Sequence, residues 1–449
     1  MFKIIITQFL RSLANGGEYL HNIQGNSFSE KKAANELKIG FYGNPSNNSY
    51  NLIKMFRNEG YQADLVIEEG FENHFLNDKP FWEDVPYECT FYEEGLKGEK
   101  LWSQPHYVRR VKYDERLEQD YRDRDSAARE VREMYANLFC IPENKVPLDK
   151  MLVLAQYMGH WPLIQTMKNY DVISLSGTST KFGIFSPVPY VITPSGDDLR
   201  VLPFEETWSG FLSRAAYKSA SKIIYTDSSD LEFLRILLVA DKSVHLPRFV
   251  SIHHKINANI AAKKEEWIQK TNGTKFILSV CEHVWAEKGN DRLIHSFAKF
   301  VKRSPRWRLI LADWGKDVEK SKKLIDELNM KNFVFWEKYC TMPLLRDKQA
   351  AADVIVGKLI ASEPSNKVFE LMAFGKPVIT HYNIGNYQNS LPPLLNAETT
   401  NDIYNHFIGL EQGDLSGIGK SSFEWISKYC GGIQTLNAYM DVYLGVSSK

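Results

Sequence analysis

Cysteine is scarce in this chain. Five residues (Cys89, Cys140, Cys281, Cys340 and Cys430) are scattered over 449, none in a C-x-x-C pair. That spacing argues against a zinc cluster or a disulfide framework, and an odd number of unclustered thiols fits a reducing, cytoplasmic setting. Net charge is missing as well: Lys plus Arg and Asp plus Glu each number 55. Nothing in the bulk electrostatics favours a nucleic-acid backbone as partner. No apolar run is long enough to cross a bilayer. The opening "MFKIIITQFLRSLANGG" is broken by Thr7 and Gln8 and has no small-x-small cleavage site. Phe2, Ile5, Ile6, Phe9, Leu10 and Leu13 still fit one face of an amphipathic helix, read as ordinary packing with peripheral membrane contact left open. The dinucleotide fingerprint G-x-G-x-x-G is absent. No D-x-D between apolar residues stands in a donor loop and no His/Cys cluster exists, so neither a metal nor a cofactor is expected.

What is present is length and rhythm. A chain of 449 residues exceeds one ordinary core, so two domains are expected. The 22 Tyr and 10 Trp suit a sugar or a flat ligand, and equally suit packing. Residues 37–69 read as strand, Gly/Asn/Ser loop, amphipathic helix, Gly60 stop and second strand, a βαβ unit. The loop "GNPSNNS" is either a plain βα connection or a phosphate-facing loop, with Gly43 and Asn44 as its candidate contacts. The pattern resumes at "YDVISLSG", "PYVITPSG" and "KIIYTD". Residues 70–169 break it and read as an insertion. His160 in "YMGHWPL" reads as a packed histidine beside Trp161, and the aromatics around Trp82 and Trp102 as a satellite core or as a lip whose rings stack on a sugar. A second alternation runs from "FILSVC" through "WRLILAD", "NFVFWE" and "DVIVG" to "PVIT".

These periods predict an α/β fold of two Rossmann-like domains facing a central cleft, the default ligand site. The expected boundaries are an N-terminal segment 1–36, a first domain 37–250 carrying the insertion 70–169, a second domain 251–420, and C-terminal helices 421–449 crossing back to the first domain.

The most informative stretch is "SNKVFELMAFGKPVI", residues 365–379. Ser365 is a good N-cap, Val368, Leu371 and Met372 form an apolar face, Gly375 suits a left-handed C-cap and Pro377 starts the next strand. A helix N-terminus thus stands near the carboxyl end of a parallel sheet, where phosphates bind. Together with "SVCEHVWAEKGNDRLIHSFAKF" (279–300), which supplies Lys288-Gly289 opening a helix, this stretch resembles the donor half of GT-B glycosyltransferases, more closely glycosyltransferase family 4. The resemblance spans about residues 275–390; the first domain matches in pattern only.

The resemblance implies a metal-independent glycosyltransferase of the hexosyltransferase type. It would move a sugar from a nucleoside-diphosphate sugar to the hydroxyl of a glycan, protein or small-molecule acceptor in glycan or glycoconjugate synthesis, with retention of configuration. The second domain would hold the donor and the first the acceptor. Lys288 would face the diphosphate, Ser365 and Asn366 would cap it, and Glu370 would accept ribose hydroxyls. Lys367 either adds a second charge or points to solvent. Three departures from the family pattern stand out. His283 occupies the expected arginine position, either as a charge that depends on pH or as a hydrogen-bonded histidine at a strand end. Glu363 and Glu370 are spaced E-x6-E rather than E-x7-E, which puts Ser362 at the earlier glutamate position and leaves a sugar contact from Glu363 open. Ser195 in "TPSGDDLR" replaces a histidine, leaving Asp197 or Asp198 to orient or deprotonate the acceptor, or merely to form a turn. Arg200 reaches a charged acceptor or pairs with a carboxylate. Two other readings stay open: a nucleotide-sugar epimerase or phosphorylase-like enzyme, and a catalytically silent nucleotide- or sugar-binding partner. The oligomeric state is not legible.

Overall fold

The computed structural model describes residues 34–69, 78–89, 96–122, 127–146, 154–250, 260–360, 364, 366–384, 391–413 and 415–447. The expectations for the amphipathic segment 2–13 and for Ser362, Glu363 and Ser365 lie outside the described residues, as does the side chain of Asn366. In chain order the strands are β1 (Lys38–Tyr42), β2 (Gln62–Glu69), β3 (Glu88–Cys89), β4 (Val108–Lys112), β5 (Val172–Leu175), β6 (Tyr190–Ile192), β7 (Lys222–Tyr225) and β8 (Ser243–His245). There follow β9 (Lys275–Ser279), β10 (Trp307–Ala312), β11 (Val334–Glu337), β12 (Tyr339–Cys340), β13 (Val354–Val356), β14 (Val378–Thr380) and β15 (Leu395–Asn396).

The fold is α/β, with two units each built on a parallel sheet. The first unit comprises residues 1–78, 104–246 and 436–449. Its seven strands run in the order β4-β2-β1-β5-β6-β7-β8, every neighbouring pair parallel. Parallel strands covered on both faces read as unbroken apolar runs, and "VISL" of β5 and "YVI" of β6 are buried throughout. Chain order departs from β1 in one direction through β2 and from β5 in the other through β6. The β1/β5 border is therefore the switch point, outside whose carboxyl ends ligands bind in open α/β sheets.

The second unit comprises residues 79–103 and 247–435. Its six strands run β11-β10-β9-β13-β14-β15, again all parallel. The helices Asn290–Val301 and Thr400–Gln412 cover one face of this sheet. The helices Ile260–Thr271 and Leu415–Tyr429 cover the other. Its switch point lies between β9 and β13.

The stretch 70–169 is not one appended body. β4 forms an edge of the first sheet, beside β2. Residues 79–103 instead join the second unit, because their partners lie there. β3 pairs antiparallel with β12, Glu83 forms an ion pair with Arg346, Tyr87 N donates to Thr341 Oγ1 at 2.8 Å, and Trp82 stacks on Tyr339 at 5.1 Å. The final helix, Ile433–Ser447, contributes its residues from Leu436 onward to the first unit. There Tyr443 is fully buried against Phe41 and Phe56, and its hydroxyl donates to Ser174 Oγ at 3.0 Å. Among the described residues no helix is long and apolar enough to cross a membrane.

Candidate active site

In the second unit the loops leaving β9 and β13 carry a group of cations. The helix Trp285–Lys288 ends at Lys288, and Gly289 turns the chain at φ +70° into the helix Asn290–Val301. A side chain at Gly289 would meet Leu359 at 3.0 Å, so this turn lies directly on the loop after β13. Leu359 N donates to Lys288 O at 3.0 Å, tying the two loops together. Lys358, the second residue after β13, is pinned through its carbonyl by His381 N at 2.9 Å and Thr380 Oγ1 at 2.7 Å. Burial lowers the pKa of Lys358, and the nearby Lys288 and Arg248 charges lower it further. Grouped, partly desolvated cations are costly in a resting fold and favourable beside an anion. The Lys288 side chain is 15% exposed and its ammonium rests 3.1 Å from Glu287 Oε2, a surface carboxylate that lies 61% exposed.

Further along the chain after β13 stands the helix Asn366–Met372. Lys367 Nζ lies 2.8 Å from Glu370 Oε2 and 3.0 Å from Met342 Sδ, so Lys367 neither points freely to solvent nor stands as a separate cation. Glu370 is mostly buried, with one oxygen in that pair. His283 is enclosed. Its ring is fully buried, 5.1 Å from the Trp336 ring, with Nδ1 2.7 Å from Ser321 Oγ and Nε2 without a partner. Burial pushes its pKa down to about 4, so it is uncharged at neutral pH and supplies no cation in the arginine's place.

In the first unit a recess of about 720 Å³ opens at the β1/β5 switch point, lined by Gly43, Asn44, Gly177, Ser195, Asp197 and Asp198 among others. Gly43 has φ +86°, and a Cβ there would sit 2.1 Å from Ser176 O, so only glycine lets the loops after β1 and β5 approach. The Asn44 side chain is committed to shaping its own loop: Nδ2 donates to Asn47 Oδ1 at 2.6 Å and Asp78 O at 2.9 Å, and Oδ1 accepts from Tyr50 N at 2.9 Å. Asp198 is buried and clips two loops together. Its Oδ1 accepts from Ser195 N (2.8 Å), Ser195 Oγ (3.0 Å) and Gly196 N (2.8 Å), while Oδ2 accepts from Gly177 N (2.9 Å). Burial pushes its pKa up against the pull of these donors. Asp197, next to it, is exposed and lines the recess, which makes it the more accessible carboxylate of the two. Arg200 pairs with Asp227 at 2.6 Å and Asp230 at 2.8 Å, the carboxylate alternative.

Sequence reasoning brought Lys288 and Glu370 forward but passed over Lys358 and Arg248. Lys358 carried one signal, its place two residues after the apolar run "DVIV", where a central parallel strand delivers its carboxyl end. Arg248 carried none. Among the described residues no group of His, Cys, Asp and Glu is arranged to hold a metal ion.

Residues 262–391 match the family model described as Glycosyl transferases group 1, a stretch that contains Lys288, Lys358 and Glu370. No curated protein sequence matches the chain. Among solved structures, Anabaena HepE in complex with UDP and glucose is 16% identical, with a TM-score of 0.61 over 91% of this chain and 99% of that one. Staphylococcus aureus TarM, solved with fondaparinux, alpha-GlcNAc-glycerol and UDP, is 13% identical, with a TM-score of 0.58 over 92% and 100%. Sucrose-phosphate synthase from Thermosynechococcus elongatus is 16% identical, with a TM-score of 0.57 over 91% and 98%. At these identities the likeness is one of fold, and that fold is the GT-B fold of glycosyltransferases.

Proposed function

We propose that this protein is a glycosyltransferase that takes a sugar from a nucleoside-diphosphate donor, a uridine diphosphate sugar in the first instance, and passes it to an acceptor hydroxyl. One observation carries the reading: Lys288 and Lys358 stand together at the switch point of the second sheet, inside the stretch that matches the group 1 model. As the anomeric bond breaks, negative charge builds on the leaving diphosphate. Fixed cations already in place lower that barrier without reorganising, and partial desolvation strengthens them. Glu370 would accept hydrogen bonds from the ribose, with Lys367 holding its carboxylate in place. HepE and TarM, both solved with UDP, motivate the choice of base.

The acceptor is assigned to the recess of the first unit, with Asp197 orienting its hydroxyl. Asp198 holds the loops that shape the recess and takes no proton. We take the outcome to be retention of configuration within glycosyltransferase family 4, the departing phosphate receiving the acceptor proton. The test incubates the protein with UDP-glucose, UDP-galactose and UDP-N-acetylglucosamine plus a panel of sugar acceptors, and follows UDP release and new glycosides by mass spectrometry. Acceptor-dependent UDP release with a new glycoside supports the reading. Donor consumed without acceptor points to the epimerase or phosphorylase alternative, and tight UDP binding with no transfer to the silent-partner one.

A further inference from the structure

A second, smaller cavity adjoins the first unit's recess, sharing Gly43, Asn44, Asp78 and Thr178 with it. Its volume is about 60 Å³, room for about two water molecules. Among the titratable side chains lining it, Tyr42 is bonded to Thr166 Oγ1 and Asp78 Oδ1 accepts from Ser46 N at 2.6 Å, which leaves Glu68 near the carboxyl end of β2, His160, and Lys181 from the segment after β5. His160 Nδ1 lies 2.7 Å from Glu68 Oε2, and the two side chains are only 6% and 10% exposed. Glu68 Oε1 is buried and has no hydrogen-bond partner. A carboxylate oxygen left bare at such depth costs roughly 1–3 kcal/mol or more, so the cavity is built around a group that donates to it. Lys181 brings the opposite charge to the same wall. Its ammonium lies 5.2 Å from the ring centres of both Tyr157 and Phe182, burial lowers its pKa, and Glu68 opposes that shift.

A phosphate or carboxylate placed here would face Glu68, and an ammonium would face Lys181. A neutral hydroxyl satisfies both, donating its proton to Oε1 while a lone pair accepts from the ammonium. We infer that the Glu68–His160–Lys181 cavity is a specificity subsite that takes one neutral hydroxyl of the acceptor, so that the acceptor is an uncharged sugar or polyol at that end. The inference rests on placing the acceptor in the first unit. His160 serves as a positioning residue, fixing the Glu68 carboxylate so that Oε1 faces inward. A site built to hydrogen-bond a hydroxyl rejects analogues that lack it much more strongly than an apolar pocket rejects an extra group.

The experiment titrates the full-length protein with glucose, galactose and mannose, their monodeoxy analogues, glucose 6-phosphate and glucosamine. Binding is followed by ligand-observed NMR, with and without UDP. The expected result is that a neutral hexose binds, that one monodeoxy analogue binds about 10- to 100-fold more weakly, and that Glu68→Gln and Lys181→Met each impose a similar loss on the parent hexose but little further loss on that analogue. Unchanged hexose binding in both variants, tighter binding of the phosphate or the amine, or no hexose binding at all would overturn it. Melting temperatures with UDP are read in parallel. Failure of UDP to stabilise the wild type counts against the glycosyltransferase reading, while the hexose titration without UDP still decides the subsite.

Discussion

His283 shows how burial overrides what a position in a motif suggests. Its ring stands where the family resemblance expects a cation, yet burial beside Trp336 and Ser321 holds it neutral. The consequence for stability has a definite sign. The folded pKa, about 4, lies below the unfolded value of 6.5, so the unfolded chain takes up the proton first as pH falls. Stability is full above about pH 6.5 and declines towards pH 4, by roughly 3 kcal/mol for this group. Urea unfolding of the wild type and His283→Gln across that window checks it: the variant loses less stability on acidification. Lys358 predicts the opposite kind of trade. Its charge is partly desolvated and opposed by two neighbouring cations, so Lys358→Met raises the melting temperature of the free protein at neutral pH while abolishing most of the stabilisation that UDP provides. Differential scanning fluorimetry with and without UDP reads both effects in one experiment.

At the scale of elements, the switch-point loops to which the proposal assigns the chemistry are held by backbone geometry. Gly43→Ala forces a Cβ onto Ser176 O at a positive φ; destabilisation of roughly 1–3 kcal/mol is expected, measurable by denaturant unfolding. Asp198→Asn replaces an acceptor with a donor facing backbone amides, freeing the loop after β6 from Gly177 at a cost of about 1–3 kcal/mol. If Asp198 clips loops and takes no proton, any loss of activity in that variant appears without the removal of an acid–base limb from the pH–rate profile.

The same loops show what the sequence could and could not reveal. Strands such as "VISL" and "WRLILA" were legible because a parallel strand buried on both faces must be apolar throughout. Loop contents were less so. Lys288 and Glu370 stand in a recognisable pattern, but Lys358 becomes visible only once β13 is placed beside β9. The attachment of residues 79–103 to the second unit depends on the pairing of Glu83 with Arg346, 263 positions apart, and no local period encodes such a partner.

For the whole molecule, the chain passes between the two units at residues 78/79, 103/104, 246/247 and 435/436, so neither unit is a continuous segment. The last crossing returns Tyr443 to the first unit's core against Phe41 and Phe56. Tyr443→Ala is expected to destabilise that unit by about 3–5 kcal/mol, and truncation after Thr435 to leave its sheet without a stable core. Circular dichroism melting of the truncated chain measures this; an unchanged transition would show that the final helix is dispensable. The central claim concerns the second unit, where paired lysines at the β9/β13 switch point receive a nucleoside diphosphate. Isothermal titration calorimetry of UDP into wild type, Lys288→Met and Lys358→Met tests it most directly. The account predicts measurable binding to the wild type and about 10- to 100-fold weaker binding to each variant, as expected for losing a charge-assisted hydrogen bond. UDP binding of equal strength in all three proteins would contradict it.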